Sequence, residues 1–397
     1  MIKVLVICPN IRSGVAYYRQ SLPHIYLQQH YPDFQCDLRP SITGVTDGEL
    51  KDYQIVHFAR KIEDVDVSIE RIRKAGAAKV VLDMDDYWRL QPHHPLYFNY
   101  KYDGTIEQTE KSIRAADHIT CTTSHFAGVI WGSGAADVVV LPNAIDPEQP
   151  QWKIAPTSSE LIRFGWMGAA IHLEDLALLK GSMRRAHSSD IYGKYQLVLC
   201  GFDMQQHYFQ WSGIKGEEPK PIKVNGEQTT YATFERILTD DYRLLKATPE
   251  YITYLRQYKQ EQQNWEKDLY YRRIWTRPVD QYGIGYNDFD VALAPLNNTP
   301  FNNCKSQLKV IEAGFMKKAL IASAVIPYTI DCVNEENALM VEHGRDGIDW
   351  FVKMRRLINN PSMIEDLGEA LYETVKDEYH LATVTKERAE LYKHISK

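Results

Sequence analysis

Short apolar runs recur through the first 150 residues of this chain, separated by stretches of helical period, and this alternation limits the fold more than any other feature. The runs are IKVLVIC (2–8), YQIVHFA (53–59), KVVLDM (79–84), HITCT (118–122) and DVVVL (137–141). They are continuous rather than alternating, and Val and Ile dominate them. Strands buried on both faces have this character, and such strands belong to a parallel sheet covered by helices. Helical segments at 14–29, 64–75, 106–116 and 124–132 lie between them. Strand then helix, repeated, predicts a doubly wound α/β domain.

The pattern stops at PNAIDPEQPQWKIAPTSS, where Pro142, Pro147, Pro150 and Pro156 break any period, and the stretch reads as a linker. A second α/β pattern follows. Strands are expected at 161–166, 195–201, 290–295, 319–323 and 338–342, with helices at 172–187, 305–316, 347–359 and 361–378. A chain of 397 residues accommodates two domains at roughly 100–200 residues each. One segment, about 204–272, is rich in Tyr, Gln and charge and shows helical stretches without a persuasive strand. A structureless loop of that length would be unusual, so it reads as a helical insertion or an oligomer arm, or else as plain surface decoration.

Composition narrows the function. The 46 basic and 52 acidic residues give a formal charge of −6, the wrong balance for a protein whose main work is coating nucleic acid. The longest apolar stretches, such as KKALIASAVIPYTI, fall short of the roughly 20 residues a membrane span needs. The opening apolar run turns at Pro9 and carries no cleavage pattern, so it reads as a first strand. Six scattered cysteines without a C-x-x-C pair read as buried thiols in a reducing compartment, and a cytoplasmic location is expected.

The richest chemistry lies in FNNCKSQLKVIEAGF (301–315). A helix beginning near Cys304 would bring Lys305, Lys309 and Glu312 within about 60° of one another, opposite Leu308, Ile311 and Phe315. Lys305 and Ser306 would then occupy the first turn, where backbone N–H groups and the helix dipole favour an anion. Glu312 would lie about 10 Å further along the axis, the reach from a diphosphate to the ribose of a nucleotide. Lysine neutralises phosphate, and a carboxylate accepts two hydrogen bonds from a vicinal diol. The plainer reading is an exposed helix with a Lys–Glu pair at i, i+3.

This stretch resembles the donor motif of GT-B glycosyltransferases of the large retaining family 4. The motif of that family has two glutamates separated by seven residues. Here it reads Asn302-x-x-Lys305-Ser306-x-x-Lys309-x-x-Glu312, then Ala313-Gly314-Phe315, with Glu312 matching the second glutamate and Cys304 standing at the first. Val140-Leu-Pro-Asn143-Ala-Ile-Asp146 is similar to the junction that closes the first domain of the family. Ile162-Arg-Phe-Gly-Trp-Met-Gly168 resembles the opening strand of its second domain, with His172 and Asp175 following. Asp290-Val-Ala-Leu-Ala-Pro295-Leu resembles the strand before the donor motif.

The resemblance implies two Rossmann-like domains facing across a cleft. Residues 1–152 would form an acceptor-side domain, joined by a C-terminal helix at 380–397. Residues 153–379 would form the nucleotide-sugar domain, carrying the insertion at about 204–272. Ligands in such sheets bind outside the carboxyl ends of the strands. Gly14 and Arg19, in Arg12-Ser-Gly14-Val-Ala-Tyr17-Tyr18-Arg19 after the first strand, would then line the donor site with Gly168, His172, Ser306 and Glu312. A loop with a single glycine is a weak phosphate signal, and Arg19 reads equally as a cleft cation or a surface residue.

LDMDDYW (82–88) admits several readings. Asp83 and Asp85 form a D-x-D pair, as in metal-dependent GT-A glycosyltransferases. A phosphatase nucleophile of the haloacid-dehalogenase type would sit on the first strand and precede Thr or Val. The resemblance implies an acceptor loop in which Asp85 or Asp86 binds the acceptor hydroxyl or takes its proton. A helix cap remains the structural alternative.

The implied activity is transfer of a sugar, with retention, from a nucleotide-diphosphate donor to a hydroxyl acceptor, as in glycan or polysaccharide biosynthesis. Lys305 and Lys309 would stabilise the departing diphosphate and Asp85 or Asp86 would orient the acceptor, with no metal and no cofactor beyond the donor. The acceptor could be a glycan, a lipid-linked molecule or another hydroxyl compound; no nucleic acid partner is expected, and peripheral contact with a membrane stays open. The alternatives are a GT-A type enzyme using Asp83 and Asp85, and a nucleotide-sugar-binding subunit without turnover, which the missing first glutamate favours.

Overall fold

The computed structural model describes residues 1–11, 13–76, 78–92, 94, 96–202, 207–210, 220–223, 230–239 and 271–397. The chain divides into two compact units. One contains Met1–Asp146, Thr299–Ile311 and Lys376–Lys397; the other contains Pro147–Asn298 and Glu312–Val375.

Six parallel strands form the sheet of the first unit: β1 (Ile2–Ile7), β2 (Phe34–Arg39), β3 (Ile55–Ala59), β4 (Lys79–Met84), β5 (His118–Cys121) and β6 (Val138–Val140), in the order β2-β1-β3-β4-β5-β6. The apolar runs are continuous because both faces are covered. Leu5, Val56, Phe58, Val80 and Leu82 enter one core, whereas Val4, Val6, Ile55 and Val81 enter another on the opposite face. The second core includes Ala389, Tyr392 and Ile395 of the helix Leu381–Ile395. A backbone exchange starts that helix: Ile145 N donates to Tyr379 O at 2.9 Å, and Leu381 N donates to Ile145 O at 2.8 Å.

Among the described residues, eight strands belong to the second unit: β7 (Ile162–Met167), β8 (Tyr195–Phe202), β9 (His207–Gln210), β10 (Lys220–Lys223), β11 (Tyr271–Trp275), β12 (Val291–Ala294), β13 (Ala319–Ser323) and β14 (Leu339–Val341). Six of them form a parallel sheet in the order β11-β8-β7-β12-β13-β14. Phe164, Trp166, Leu197, Leu199 and Ile321 line one face, and Ala292, Ala322, Val198, Leu320 and Met340 line the other. Gly165 shares that second face, and a Cβ there would come within about 2.0 Å of the Phe289 ring.

Two expectations are corrected. The segment at 204–272 is not purely helical: β9 and β10 pair antiparallel, and β11 is a strand of the main sheet. Thr230–Thr239 is a helix whose Phe234 and Leu238 join the core. It is tied to β11 by Glu235, which accepts bonds from Tyr271 Oη at 2.6 Å and Arg273 Nη2 at 2.9 Å. The remainder of that expected insertion lies outside the described residues. Secondly, Thr299–Ile311, read from sequence as part of the second domain, groups with the first unit. The reason is packing: buried Cys304 belongs to the same core as Met84 and Trp88. No helix among the described residues is long and apolar enough to cross a membrane.

Candidate active site

In each sheet the strand order reverses beside the first strand, between β1 and β3 and between β7 and β12. The loops leaving those strands flank the crevice where open α/β sheets take ligands.

In the first unit the helical element after β1 begins at Gly14, capped by Ser13 Oγ, which accepts from Ala16 N at 3.1 Å. Its turn then widens into a π-helical segment at Tyr17–Ser21, and Arg19, Gln20 and Ser21 are all buried there. Arg19 is therefore neither a cleft cation nor a surface residue. Its Nε and Nη2 donate to the two oxygens of Asp83 at 2.9 and 2.6 Å, and its Nη1 donates to Leu141 O at 2.6 Å and Asn143 Oδ1 at 3.3 Å. Thr120 Oγ1 donates to Asp83 as well. Burial alone would raise the Asp83 carboxyl, but the Arg19 guanidinium overrides it and holds Asp83 below the ordinary aspartate value. Asp83 is thus committed to an internal ion pair, which removes the D-x-D metal reading of Asp83 with Asp85.

Asn143 extends this network. Its Nδ2 donates to Ser306 Oγ at 2.8 Å, which fixes the segment before the helix Leu308–Phe315. Gln307 Nε2 donates to Tyr379 Oη at 2.9 Å and secures the same segment. Lys305 and Ser306 accordingly lie outside the helix. A short helix, Pro300–Asn303, capped by Thr299, precedes them, and helix resumes at Leu308. The expected single helix with Lys305 and Ser306 in its first turn is corrected to a helix–loop–helix. Lys309 and Glu312 remain one turn apart on the second helix.

The loop after β4 carries Asp85 and Asp86. Arg60, immediately after β3, grips both. Its Nε donates to Asp85 Oδ1 at 2.7 Å, and its Nη2 donates to Asp85 Oδ2 and to Asp86 Oδ2, each at 2.8 Å. Arg60 adopts a left-handed backbone (φ 63°), a strained state for a residue with a side chain. Its N–H donates to Asp83 O at 2.8 Å, which holds that turn against β4. From the other side Lys305 Nζ lies 3.4 Å from Asp86 Oδ1 and 4.6 Å from the centre of the Phe301 ring, which meets His94 edge-on. Asp85, Asp86, Arg60 and Lys305 form a set whose formal charges cancel.

Gly168, His172 and Glu312 belong to the second unit. A Cβ on Gly168 would come within about 2.6 Å of the Trp166 ring, so a glycine is needed where the chain turns over that indole. His172 Nδ1 donates to Asp175 Oδ2 at 2.8 Å. Buried Asp175 also accepts from Asn297 N at 2.9 Å and Asn297 Nδ2 at 3.1 Å. This links the loops leaving β7 and β12 at the reversal of strand order. Burial would raise the Asp175 carboxyl, but the bonds from His172 and Asn297 hold it low. Glu312 is buried and accepts from Tyr286 Oη at 2.7 Å. Cys304, at the place of the first motif glutamate, is a core residue whose thiol is pushed up to about 12 by burial, with Asp86 adding to the shift.

Sequence reasoning missed Arg60, Asn143, Tyr286 and Asn297. Asn143 lies inside the quoted V-L-P-N stretch, and Arg60 directly follows an apolar strand beside the sheet crevice; both positions were available as signals.

No protein-family model and no curated protein sequence matches the chain. Solved structures do. A glycosyltransferase from Rickettsia africae superposes with a TM-score of 0.60 at 12% identity, over 100% of this chain and 99% of the other. The fold is GT-B. Sucrose-phosphate synthase from Thermosynechococcus elongatus gives 0.63 at 13% identity, over 100% and 99%. HepE of Anabaena, solved with UDP and glucose, gives 0.58 at 10% identity, over 99% of each chain.

Proposed function

We propose that this GT-B chain is a glycosyltransferase that moves a sugar from a nucleotide-diphosphate sugar to a hydroxyl acceptor, with retention, in glycan or polysaccharide assembly. The observation that carries this reading is the Phe301–Phe315 segment. Asn143 and Tyr379 pin its loop, Lys305 and Lys309 supply positive charge, and Tyr286 fixes the carboxylate of Glu312. HepE structures with UDP and UDP-glucose support a uridine donor. In the proposed mechanism Lys305 and Lys309 stabilise the charge that grows on the departing diphosphate, and no chelator-sensitive metal is required. Glu312, its carboxylate fixed by Tyr286, takes the ribose diol, to which a carboxylate offers hydrogen-bond acceptors. The Arg60-held Asp85 and Asp86 orient the acceptor hydroxyl, which is carried by a glycan, a lipid-linked molecule or another compound.

Calorimetric titration with UDP tests this reading. Glu312→Ala should weaken binding about tenfold, the worth of a lost hydrogen bond to a charged group. Unchanged affinity would remove the assignment. A second reading, a nucleotide-sugar-binding subunit without turnover, is favoured by the burial of Cys304. It predicts UDP-sugar binding with no consumption of donor in any acceptor mixture.

A further inference from the structure

Lys305 already has an anionic partner within its own unit. Its side chain is only 15% exposed, and its ammonium lies 3.4 Å from Asp86 Oδ1 with the Phe301 ring beneath it. That separation is longer than the 2.7–2.9 Å of a strong charge-assisted hydrogen bond. Asp86 is held more firmly from the other side, by Arg60 Nη2 at 2.8 Å, and Arg60 is itself locked by its fork to Asp85. The pair with Lys305 is loose, and the pair with Arg60 is braced by a third charge.

We propose that Asp86 occupies Lys305 in place of the donor diphosphate, so that diphosphate binding exchanges the partner of Lys305 and leaves Asp86 to the acceptor. This rests on the reading of Lys305 as a diphosphate cation. A diphosphate carries more charge than one carboxylate and offers several oxygens at shorter range, so it takes Lys305 from Asp86. Asp86 keeps its place because Arg60 still holds Oδ2. Before the exchange the four charges cancel; afterwards Asp85, Asp86 and Arg60 carry a net charge of −1. An acceptor O–H then competes for Asp86 Oδ1 without Lys305. The acceptor site is completed by the donor, and the order of binding is donor first. Asp86 acts as a latch between the two substrates, and Arg60 acts as its positioning residue.

UDP titration of the whole chain separates the possibilities. Asp86→Asn keeps the shape of the side chain and removes its charge. It should tighten UDP binding about fivefold, the upper range for a partly exposed ion pair. Lys305→Ala should weaken binding, and the Lys305→Ala, Asp86→Asn double variant should bind UDP as Lys305→Ala does, since the effect of Asp86 runs through Lys305. A thermal melt checks that each variant is folded. If Lys305→Ala weakens UDP binding but Asp86→Asn leaves it unchanged, the latch is wrong and the donor reading stands. A gain from Asp86→Asn that persists without Lys305 also overturns the latch. If wild type binds no UDP, the functional reading fails and takes the latch with it.

Discussion

The two units build polar networks at equivalent places, beside the reversal of strand order, but with different materials. In the first unit the network is ionic: Arg19 with Asp83 in the interior, and Arg60 and Lys305 with Asp85 and Asp86 at the strand ends. In the second unit one carboxylate, Asp175, collects an imidazole and an asparagine, and another, Glu312, takes a tyrosine hydroxyl. The lesson concerns what happens when a partner leaves. A buried ion that loses its counter-ion is stranded, whereas a carboxylate with several neutral donors loses one bond among several. Arg19→Ala should therefore cost about 3–5 kcal/mol of stability, because Asp83 stays buried without its cation. His172→Ala leaves Asp175 with both bonds from Asn297 and should cost only about 1 kcal/mol. Denaturant titration of the two variants measures the difference; equal losses would erase the contrast.

Acid sharpens the comparison. Among the described residues, the two fully buried histidines, His24 and His57, both belong to the first unit. Burial, followed by the charges of His57 and Arg388, lowers His24 well below 6.5; burial, Arg388 and Arg19 do the same to His57. Because the folded values are depressed, the unfolded chain binds these protons first as pH falls. Their contribution is complete above about 6.5 and is lost below it, at about 1.4 kcal/mol per pH unit for each histidine. Asp175, a buried carboxylate of the second unit that is also depressed, begins to lose its contribution only near the ordinary aspartate value of 3.8. Between pH 6.5 and about 4 the first unit should thus lose protection from hydrogen exchange before the second. His57→Phe should flatten that response, and parallel loss in both units would contradict the assignment.

What the sequence made legible follows the same physics. Strands with two covered faces appeared as Val/Ile runs. Of the edge strands, the apolar β6 (VVV) and β14 (LMV) were legible, whereas β2 (FQCDLR) and β11 (YRRIW) were not, because their Asp, Gln and Arg residues hide the pattern. The Phe301–Phe315 segment was visible in composition but misjudged in shape. Thr299-Pro300 is a cap followed by a first-turn proline, and it starts a helix four residues before Cys304. That early helix ends at Asn303 and leaves Lys305 and Ser306 in a loop. Charges were visible one at a time, but their pairing was not. Nothing local in LDMDDYW shows that Arg19, 64 residues earlier, claims Asp83, or that Arg60 claims Asp85 and Asp86. Cys304 was noted as a departure from a motif; its reason, a place in the core beside Met84 and Trp88, exists only in three dimensions.

The smallest expected change tests whether geometry or charge alone sustains the acidic pair. Arg60→Lys keeps one positive charge at the same strained backbone position, so the cost of its left-handed φ is unchanged. It removes the planar fork that reaches Asp85 and Asp86 together. The Arg60 side chain is 38% exposed, so stability should change by less than about 1 kcal/mol. Glycosyl transfer should respond more than folding does. An ammonium has no rigid fork to fix both carboxylates, Asp86 then wanders, and the acceptor KM should rise about tenfold, the equivalent of about 1.4 kcal/mol. UDP affinity should stay within about twofold, since Lys305 and Glu312 are untouched. Steady-state kinetics with acceptor varied at saturating donor reads the first quantity, and calorimetry reads the second. A variant with unchanged acceptor KM would show that the strained turn at Arg60 serves the stability of the first unit and not its chemistry.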